Sequence, residues 1–308
     1  MSDLDLVLTR VIGAPRELVW AAWTTPEHLK HWWGPHGMTT PVIEMDLRPG
    51  GIFRTVMRDP AGNEYPTNGT FAEIAKPEKL VFDNDFPDGP DGKPGTARCA
   101  VRFDAMGAKH TRMTVRWTHT SQAQKEMHLA MGFHGGWGET VDRLVLHVAP
   151  QPGGPKKVTL TRRLDAPRAL VWQAWTDPKM MTQWWGPKHF TAPHVAIDLR
   201  PGGAVNLDMQ GPDGTIYPCQ GLFRAVVPTE KLVFWAWVPD AEGRAFLDDV
   251  TTVTFTEQNG KTLVTVDATV LQAMPEAAAS LSGMEEGWAQ SLEKLAPVVE
   301  NPGARPAQ

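Results

Sequence analysis

Histidines and carboxylates are the residues best able to do chemistry in this chain, and their spacing narrows what that chemistry could be. His28 and His31 lie one helical turn apart with His36 just beyond, a spacing that could present imidazoles to a metal ion. No cysteine or matching carboxylate pattern accompanies them, so a solvent-facing helix is the simpler reading, and neither metal nor cofactor is expected. His134 borders an apolar helical stripe beside Trp137, where an imidazole could orient a polar ligand group or serve as acid–base. Asp83 and Asp85 alternate with Leu80 and Phe82 along one strand. There is no Gly-Lys-Ser/Thr phosphate loop, no Gly-x-Ser-x-Gly elbow and no Cys/His nucleophile pair. Nothing in the chain demands covalent or metal catalysis.

These residues sit in a sequence written twice. Trp32-Trp33-Gly34-Pro35 returns 152 positions later as Trp184-Trp185-Gly186-Pro187, and each copy precedes Asp-Leu-Arg-Pro-Gly-Gly, at Asp46 to Gly51 and Asp198 to Gly203. Aligning Ala14 to Gly51 on Ala166 to Gly203 gives 22 identities in 38 positions. So long a period marks a duplicated domain, since solenoid repeats run at roughly 20–50 residues. The chain of 308 residues therefore divides into a first module over 1–148, a Pro/Gly-rich linker over 149–156, a second module over 157–299 and a tail over 300–308. Chemistry shared by both modules should recur in both. His28, His31 and His36 become Met180, Gln183 and Lys188, whereas His134 becomes the equally titratable Glu285. Asp83 and Asp85 become Trp235 and Trp237. Leu80 and Phe82 recur as Leu232 and Phe234, which assigns that set to the inner face and the Asp/Trp set to the outer one. An outward pair of tryptophans suggests that the two modules pack on each other. Asp46 and Arg48, like Asp198 and Arg200, read as local ion pairs pinning the Pro-Gly-Gly turn.

The positioning elements follow from periodicity. Leu4 to Ile12 alternates as a strand. Pro15 opens a helix to about Trp23, and Pro26 opens a second through Trp32-Trp33, which Gly34-Pro35 ends. From Thr39 to Thr118 the chain reads as about six antiparallel strands, interrupted at 86–96 by a Pro/Gly-rich loop. A long helix is expected over Ser121 to Val148, with Ala130, Phe133, Trp137, Val141, Leu144 and Val148 on one face. The second module spaces its stripe identically at Leu281, Met284, Trp288, Leu292, Leu295 and Val299. The offset there is 151, so one residue is lost near the Lys109/Lys261 hairpin.

A net charge of −5 with no basic stripe argues against nucleic acid. No apolar run approaches the ~20 residues of a membrane span, and the first residues lack the basic region of a signal peptide. Cys99 and Cys219 occupy non-equivalent positions, so no disulfide is expected and a reducing cytosol is. Thirteen tryptophans, six in the first half and seven in the second, point to aromatic cores or aromatic-lined pockets in both modules.

Ala14 to Pro26, Trp32 to Pro35, Asp46 to Gly51, Pro77 to Phe82 and Gly136-Trp137 together resemble the START/Bet v 1-like (SRPBCC) superfamily. Within it the chain is similar to the branch related to the C-terminal domain of the Hsp90 ATPase activator. Ala166-Pro167, Trp172, Trp175, Pro178, Trp184 to Pro187, Asp198 to Gly203, Leu232 to Phe234 and Gly287-Trp288 carry the same likeness in the second copy. It implies two α+β helix-grip domains in tandem, each a curved antiparallel sheet around a long C-terminal helix, with a cavity between them for a small hydrophobic or aromatic molecule. On that basis Trp20, Trp32, Trp33, Phe82, Phe133, His134 and Trp137 would border the first cavity. Trp172, Trp184, Trp185, Phe234, Met284, Glu285 and Trp288 would border the second. Three functions compete. One is a cytosolic carrier, sensor or sequestering protein. Another is a cyclase-, dehydratase- or hydrolase-like enzyme using His134 or Glu285. The third, a chaperone-associated module, lacks a counterpart of the activator's separate N-terminal domain, because both halves resemble the C-terminal type.

Overall fold

The computed structural model describes residues 2–86, 95–149, 151 and 154–301. Most of the loop expected at 86–96, part of the linker and the tail beyond 301 lie outside the described residues. The chain forms two compact units, residues 1–150 and 151–308.

In the first unit, β1 (Asp5–Ile12) leads into α1 (Arg16–Thr24) and α2 (Pro26–Trp32). A meander follows through β2 (Thr39–Met45), β3 (Ile52–Arg58), β4 (Glu64–Ala75), β5 (Lys79–Phe86), β6 (Gly95–Met106) and β7 (His110–Thr118). The sheet order is β1-β7-β6-β5-β4-β3-β2, antiparallel throughout, so the first strand closes onto the last. Two helices complete the unit, α3 (Gln122–Ala130) and α4 (Phe133–Val148). Pro15 stands one residue outside the position expected for it: it is the N-cap of α1, and its carbonyl accepts from the amides of Leu18 and Val19.

The second unit repeats the order as β8 (Lys157–Leu164), α5 (Arg168–Thr176), α6 (Pro178–Met181), β9 (Thr191–Ile197), β10 (Val205–Gln210), β11 (Ile216–Val227), β12 (Lys231–Pro239), β13 (Ala245–Gln258) and β14 (Lys261–Ala273). A single 3-10 turn, Pro275–Ala277, runs into α7 (Ala278–Glu300). Its sheet order is β8-β14-β13-β12-β11-β10-β9, the same topology. The missing residue is in the expected hairpin. Met106 pairs with His110 across three residues, whereas Gln258 pairs with Lys261 across Asn259 and Gly260, both at positive φ as a two-residue hairpin turn requires.

The expected helix over 121–148 is not one helix. Gly132 adopts φ 86°, a left-handed conformation that L-residues avoid, and it splits the segment into α3 and α4. Ala130, assigned by spacing to the apolar face, is exposed in consequence.

The repeated turns are steric necessities. A Cβ on Gly51 would lie 2.0 Å from the Asp46 carbonyl oxygen, and one on Gly203 equally 2.0 Å from that of Asp198. The flanking ion pairs form as expected, Arg48 Nε to Asp46 Oδ2 at 2.8 Å and Arg200 Nη2 to Asp198 Oδ2 at 2.7 Å. Trp32 and Trp184 are fully buried and donate their indole N–H to the carbonyls of Ala22 and Ala174, stapling each short helix to the one before it. Burying an indole of this size supplies roughly 4–6 kcal/mol of gross apolar stabilisation.

Candidate functional site

Alternation along the strands turns one row of side chains inward. In the first unit that row includes Phe53, Phe71, Phe82, Phe103 and Trp117, each at most 3 % exposed. Leu80 and Phe82, with Leu232 and Phe234, lie on this inner face as expected. Asp83 is turned away, paired with Arg98 on the neighbouring strand at 2.7 and 2.9 Å. Trp235 lies in the equivalent outer row and is nonetheless buried, stacked on Trp237 at 4.4 Å.

Trp137, from α4, is the hub of the first interior. Its ring stacks on Trp23 at 6.4 Å and meets Trp33 at 5.8 Å and Trp117 at 5.7 Å, while Trp117 meets Phe82 at 6.0 Å. Trp288 repeats the arrangement from α7, stacking on Trp175 at 6.2 Å and meeting Trp185 at 5.5 Å. The opposing sheet is thinner there, with Phe53 replaced by Val205 and Trp117 by Ala268, and on the helix itself Met284 replaces Phe133. The indole N–H of Trp23 and that of Trp175 are buried with no hydrogen-bond partner among the described residues. An unmet donor at the same position in both copies costs on the order of 1–3 kcal/mol each.

The two long helices sit differently on their sheets. Phe133, Thr140, Val141, Leu144, Val145 and Val148 bury α4 along its length. In α7 the buried residues begin only at Ser291, although the apolar stripe starts at Leu281. Leu281, Met284 and Trp288 are half-exposed; Trp288 packs against the core as Trp137 does, so the part of the stripe that stands clear is its Leu281–Met284 end.

At the end of the first unit where α3 lies, the structure gathers two histidines that spacing did not single out. His119 continues the inward row of β7 two residues beyond Trp117 and is buried; His128, on α3, is buried against it. His119 Nε2 is 2.9 Å from His128 Nδ1, and His119 Nδ1 is 2.9 Å from the Leu4 carbonyl. Trp117 and Phe133 present ring edges or faces to His128 at 5.4 and 5.0 Å. Burial, reinforced by the positive potential of His119 and His134, lowers the pKa of His128 to about 4; burial lowers that of His119 as well. His119 was legible from β-alternation alone. His128 was hidden by the assumption of one continuous helix: nine residues at ~100° each would put it opposite Trp137, and the break at Gly132 resets that phase. The second unit has Val270 and Ala279 at these places.

The residues expected at the cavities are distributed as follows. Trp33, Phe82 and Trp137 join one aromatic network, as do Trp185, Phe234 and Trp288. Phe133 contacts both His128 and His134, the latter half-buried. Trp20 and Trp172 instead pack edge-on against Phe103 and Phe255, and Trp32 and Trp184 lie behind Trp23 and Trp175. Met284 is half-exposed on the stand-off half of α7, and Glu285 is exposed beside it. His28 Nδ1 lies 3.0 Å from His147 Nε2, and His31 stacks on His147 at 5.4 Å. Among the described residues no three His, Cys, Asp or Glu side chains are placed to hold a metal ion.

The Trp-Trp-Gly-Pro turn proves to be a ring of carbonyl oxygens around a cation from the C-terminal helix. Arg143 donates to the carbonyls of His31, Gly34, Pro35 and Met38 at 2.8–3.1 Å. Lys294 Nζ occupies the same place in the second copy, donating to Gly186 and Phe190 at 3.0 and 2.9 Å and to Trp185 and Pro187 at 3.3 and 3.4 Å. Gly34 and Gly186 adopt φ 96° and 90°, which turns these carbonyls to one side. The motif therefore clamps the helix and supplies one tryptophan, Trp33 or Trp185, to the aromatic network of the interior.

Seven-stranded antiparallel sheets, each closed over a C-terminal helix with two short helices after the first strand, define a tandem helix-grip protein. The family described as Activator of Hsp90 ATPase homolog 1-like protein (AHSA1) matches residues 13–149 and again 165–300, and the chain belongs to that family. No functionally curated protein matches it. Among solved structures, protein NE0264 from Nitrosomonas europaea is 34% identical over 48% of this chain and 95% of its own, with a TM-score of 0.43. A protein from Arthrobacter aurescens is 27% identical over 48% of this chain and 87% of its own, TM-score 0.43. The di-domain ARO/CYC StfQ of the steffimycin biosynthetic pathway is 13% identical, covering 96% of this chain and 99% of its own, TM-score 0.43. None of these likenesses assigns a ligand to this chain.

Proposed function

We propose that the protein binds small hydrophobic or aromatic molecules between sheet and C-terminal helix, acting as a tandem carrier, sensor or sequestering protein. The observation that carries this reading is the stand-off of α7. Leu281 and Met284 begin an apolar stripe that stays half-exposed up to Trp288, which packs on the core, on a module whose sheet carries Val205 and Ala268 in place of large aromatics. Apolar concavities with a few polar groups are the usual sites of small-molecule binding. The unmet indole donors of Trp23 and Trp175 support the same reading, since a ligand acceptor would satisfy them. Cys99 and Cys219 are free thiols, which fits a reducing cytosol, and no helix among the described residues is long and apolar enough to cross a membrane. Titration of the intrinsic tryptophan fluorescence with a panel of aromatic compounds tests the proposal, together with native mass spectrometry of the purified protein. Saturable quenching or a co-purified mass is expected. Silence across broad chemical classes, with no retained molecule, would sink it.

A further inference from the structure

We infer that the second module carries a further binding site at the exposed end of its sheet, beside the β11–β12 turn, for a short extended peptide segment bearing charges of both signs. The inference does not depend on the cavity reading above.

The site originates in strands of unequal length. β11 turns back into β12 through a short loop: Thr229 stands at φ 60°, the Glu230 amide donates to the Val227 carbonyl, and Val227 pairs with Lys231. β12 therefore begins at Lys231, opposite Thr254 of β13. β13 runs on to Gln258, and over those last residues its strand partner is β14. The Phe255 amide points to the β12 side, where the Glu230 carbonyl in the turn accepts it. Alternation sends the amide and carbonyl of Glu257 the same way, two residues farther on, where no strand lies opposite among the described residues. An edge of this kind is a template for another extended chain.

A cleft of about 540 Å³ opens at this edge, between the turn, the end of β13 and Arg168 at the start of α5. Its volume falls within the range of small-molecule sites, roughly 300–1,000 Å³. The polar part of the lining comes from Arg168, Glu230, Lys231, Thr254, Thr256 and Glu257.

In the first module the corresponding charges neutralise one another. Arg16 lies 3.4 Å from Glu78 and 3.9 Å from Glu17, Lys79 2.7 Å from Glu73, and Arg102 3.0 Å from Asp104. The second module has replaced Glu17 by Ala169, Glu73 by Ala225, and Arg102 and Asp104 by Thr254 and Thr256, and it places Glu257 where the first has Ala105. Arg168, Lys231, Glu230 and Glu257 consequently enter no ion pair among the described residues. Two cations and two carboxylates thus surround one uncovered backbone edge.

These features select the ligand together. A simple anion would face Glu230 and Glu257 as well as the cations, and a simple cation would face Arg168 and Lys231. A ligand with one charge of each sign answers both. The Glu257 amide and carbonyl call for an acceptor and a donor spaced as on a strand, which a peptide backbone supplies. The first module has the same strand geometry, with the Phe103 amide on the Glu78 carbonyl, but its charges are already paired and it should not compete.

The test uses the full chain and two capped tetrapeptides, acetyl-Lys-Val-Glu-Val-amide and acetyl-Glu-Val-Lys-Val-amide, one for each direction of the added strand. Calorimetry should show one of them binding at least about tenfold more tightly than its analogue methylated at the backbone nitrogens, the worth of about one hydrogen bond. Amide NMR of the unmutated protein, which does not depend on any variant folding, should place the largest shifts at Lys231, Thr256 and Glu257, with no comparable change at Ala105. Arg168→Ala should weaken the peptide about tenfold. Glu257→Pro removes an amide that meets no strand, a place where an edge tolerates proline, so the fold should persist and the peptide should be lost. Equal binding of the methylated analogue, shifts centred elsewhere, unchanged affinity in Arg168→Ala, or equal binding of all-lysine peptide, all-glutamate peptide or inorganic phosphate would each overturn the inference. Failure of both tetrapeptides to bind would do the same. All of these outcomes leave the cavity reading as it stands.

Discussion

At the scale of single residues, the buried His119–His128 pair makes stability depend on pH. Burial lowers the His128 pKa to about 4 from an ordinary 6.5. Between those values the unfolded chain binds a proton that the folded chain does not, so stability is complete above pH 6.5 and falls as the pH drops toward 4. At 1.36 kcal/mol per pKa unit the loss reaches up to about 3 kcal/mol. His119 shifts in the same direction through its own burial, with Lys125 adding to the shift and Asp5 opposing it. Urea unfolding at a series of pH values should show this slope, and His128→Leu should flatten it; an unchanged slope in the variant would refute the assignment. Arg143 and Lys294 matter for a different reason, because each gathers several carbonyl oxygens of the Trp-Trp-Gly-Pro turn around one partly buried cation. Replacing either with methionine should cost on the order of 1–3 kcal/mol, read as a lower denaturant midpoint.

At the scale of elements, glycines decide where helices break and turns close. Gly132 has a positive φ, but nothing lies within 4 Å of where a Cβ would stand. Gly132→Ala should therefore cost only about 1–2 kcal/mol of backbone strain. Gly51→Ala meets a carbonyl oxygen at 2.0 Å and has no such freedom, so it should displace the β2–β3 turn and leave a visibly altered amide NMR spectrum. The two C-terminal helices also differ in how they are tied down. Arg10 and Asp142 form an ion pair at 2.6 Å, almost completely buried, that joins β1 to α4. Its counterpart Glu293 is exposed and pairs with Lys188 at 3.0 Å instead. Asp142→Ala should cost about 3–5 kcal/mol because it removes the carboxylate facing a buried guanidinium, whereas Glu293→Ala should stay within about 1 kcal/mol. Comparable losses in chemical denaturation would show that burial does not separate the two.

At the scale of the molecule, duplication has kept the frame and changed the interior. Both copies retain the turn clamp, the indole staples and the hub tryptophan, while the inward row becomes smaller in the second. The cavity proposed for the second copy, where Ala268 takes the place of Trp117, should accept extra volume. Ala268→Leu is expected to leave the thermal midpoint unchanged or raised and to weaken binding of aromatic probes at that module. A midpoint several degrees lower would instead mean a close-packed face, since overfilling costs about 1–3 kcal/mol.

Strand alternation, proline and glycine punctuation and the repeat itself were enough to order nearly every element, because those signals act within a few residues. The inner placement of Leu80, Phe82, Leu232 and Phe234 was legible for the same reason, and so were the Asp46–Arg48 and Asp198–Arg200 ion pairs. Three other features depended on the tertiary structure. A six-residue apolar stripe cannot reveal that Gly132 resets the helix phase, and so it concealed His128. The role of Arg143 as a clamp required knowing where carbonyls more than 100 residues away would converge. Whether an apolar stripe is buried or left open, as along Leu281 and Met284, depends on the size of side chains contributed by other strands. Local sequence sets conformation; the distance between surfaces that meet only after folding determines whether a cavity remains.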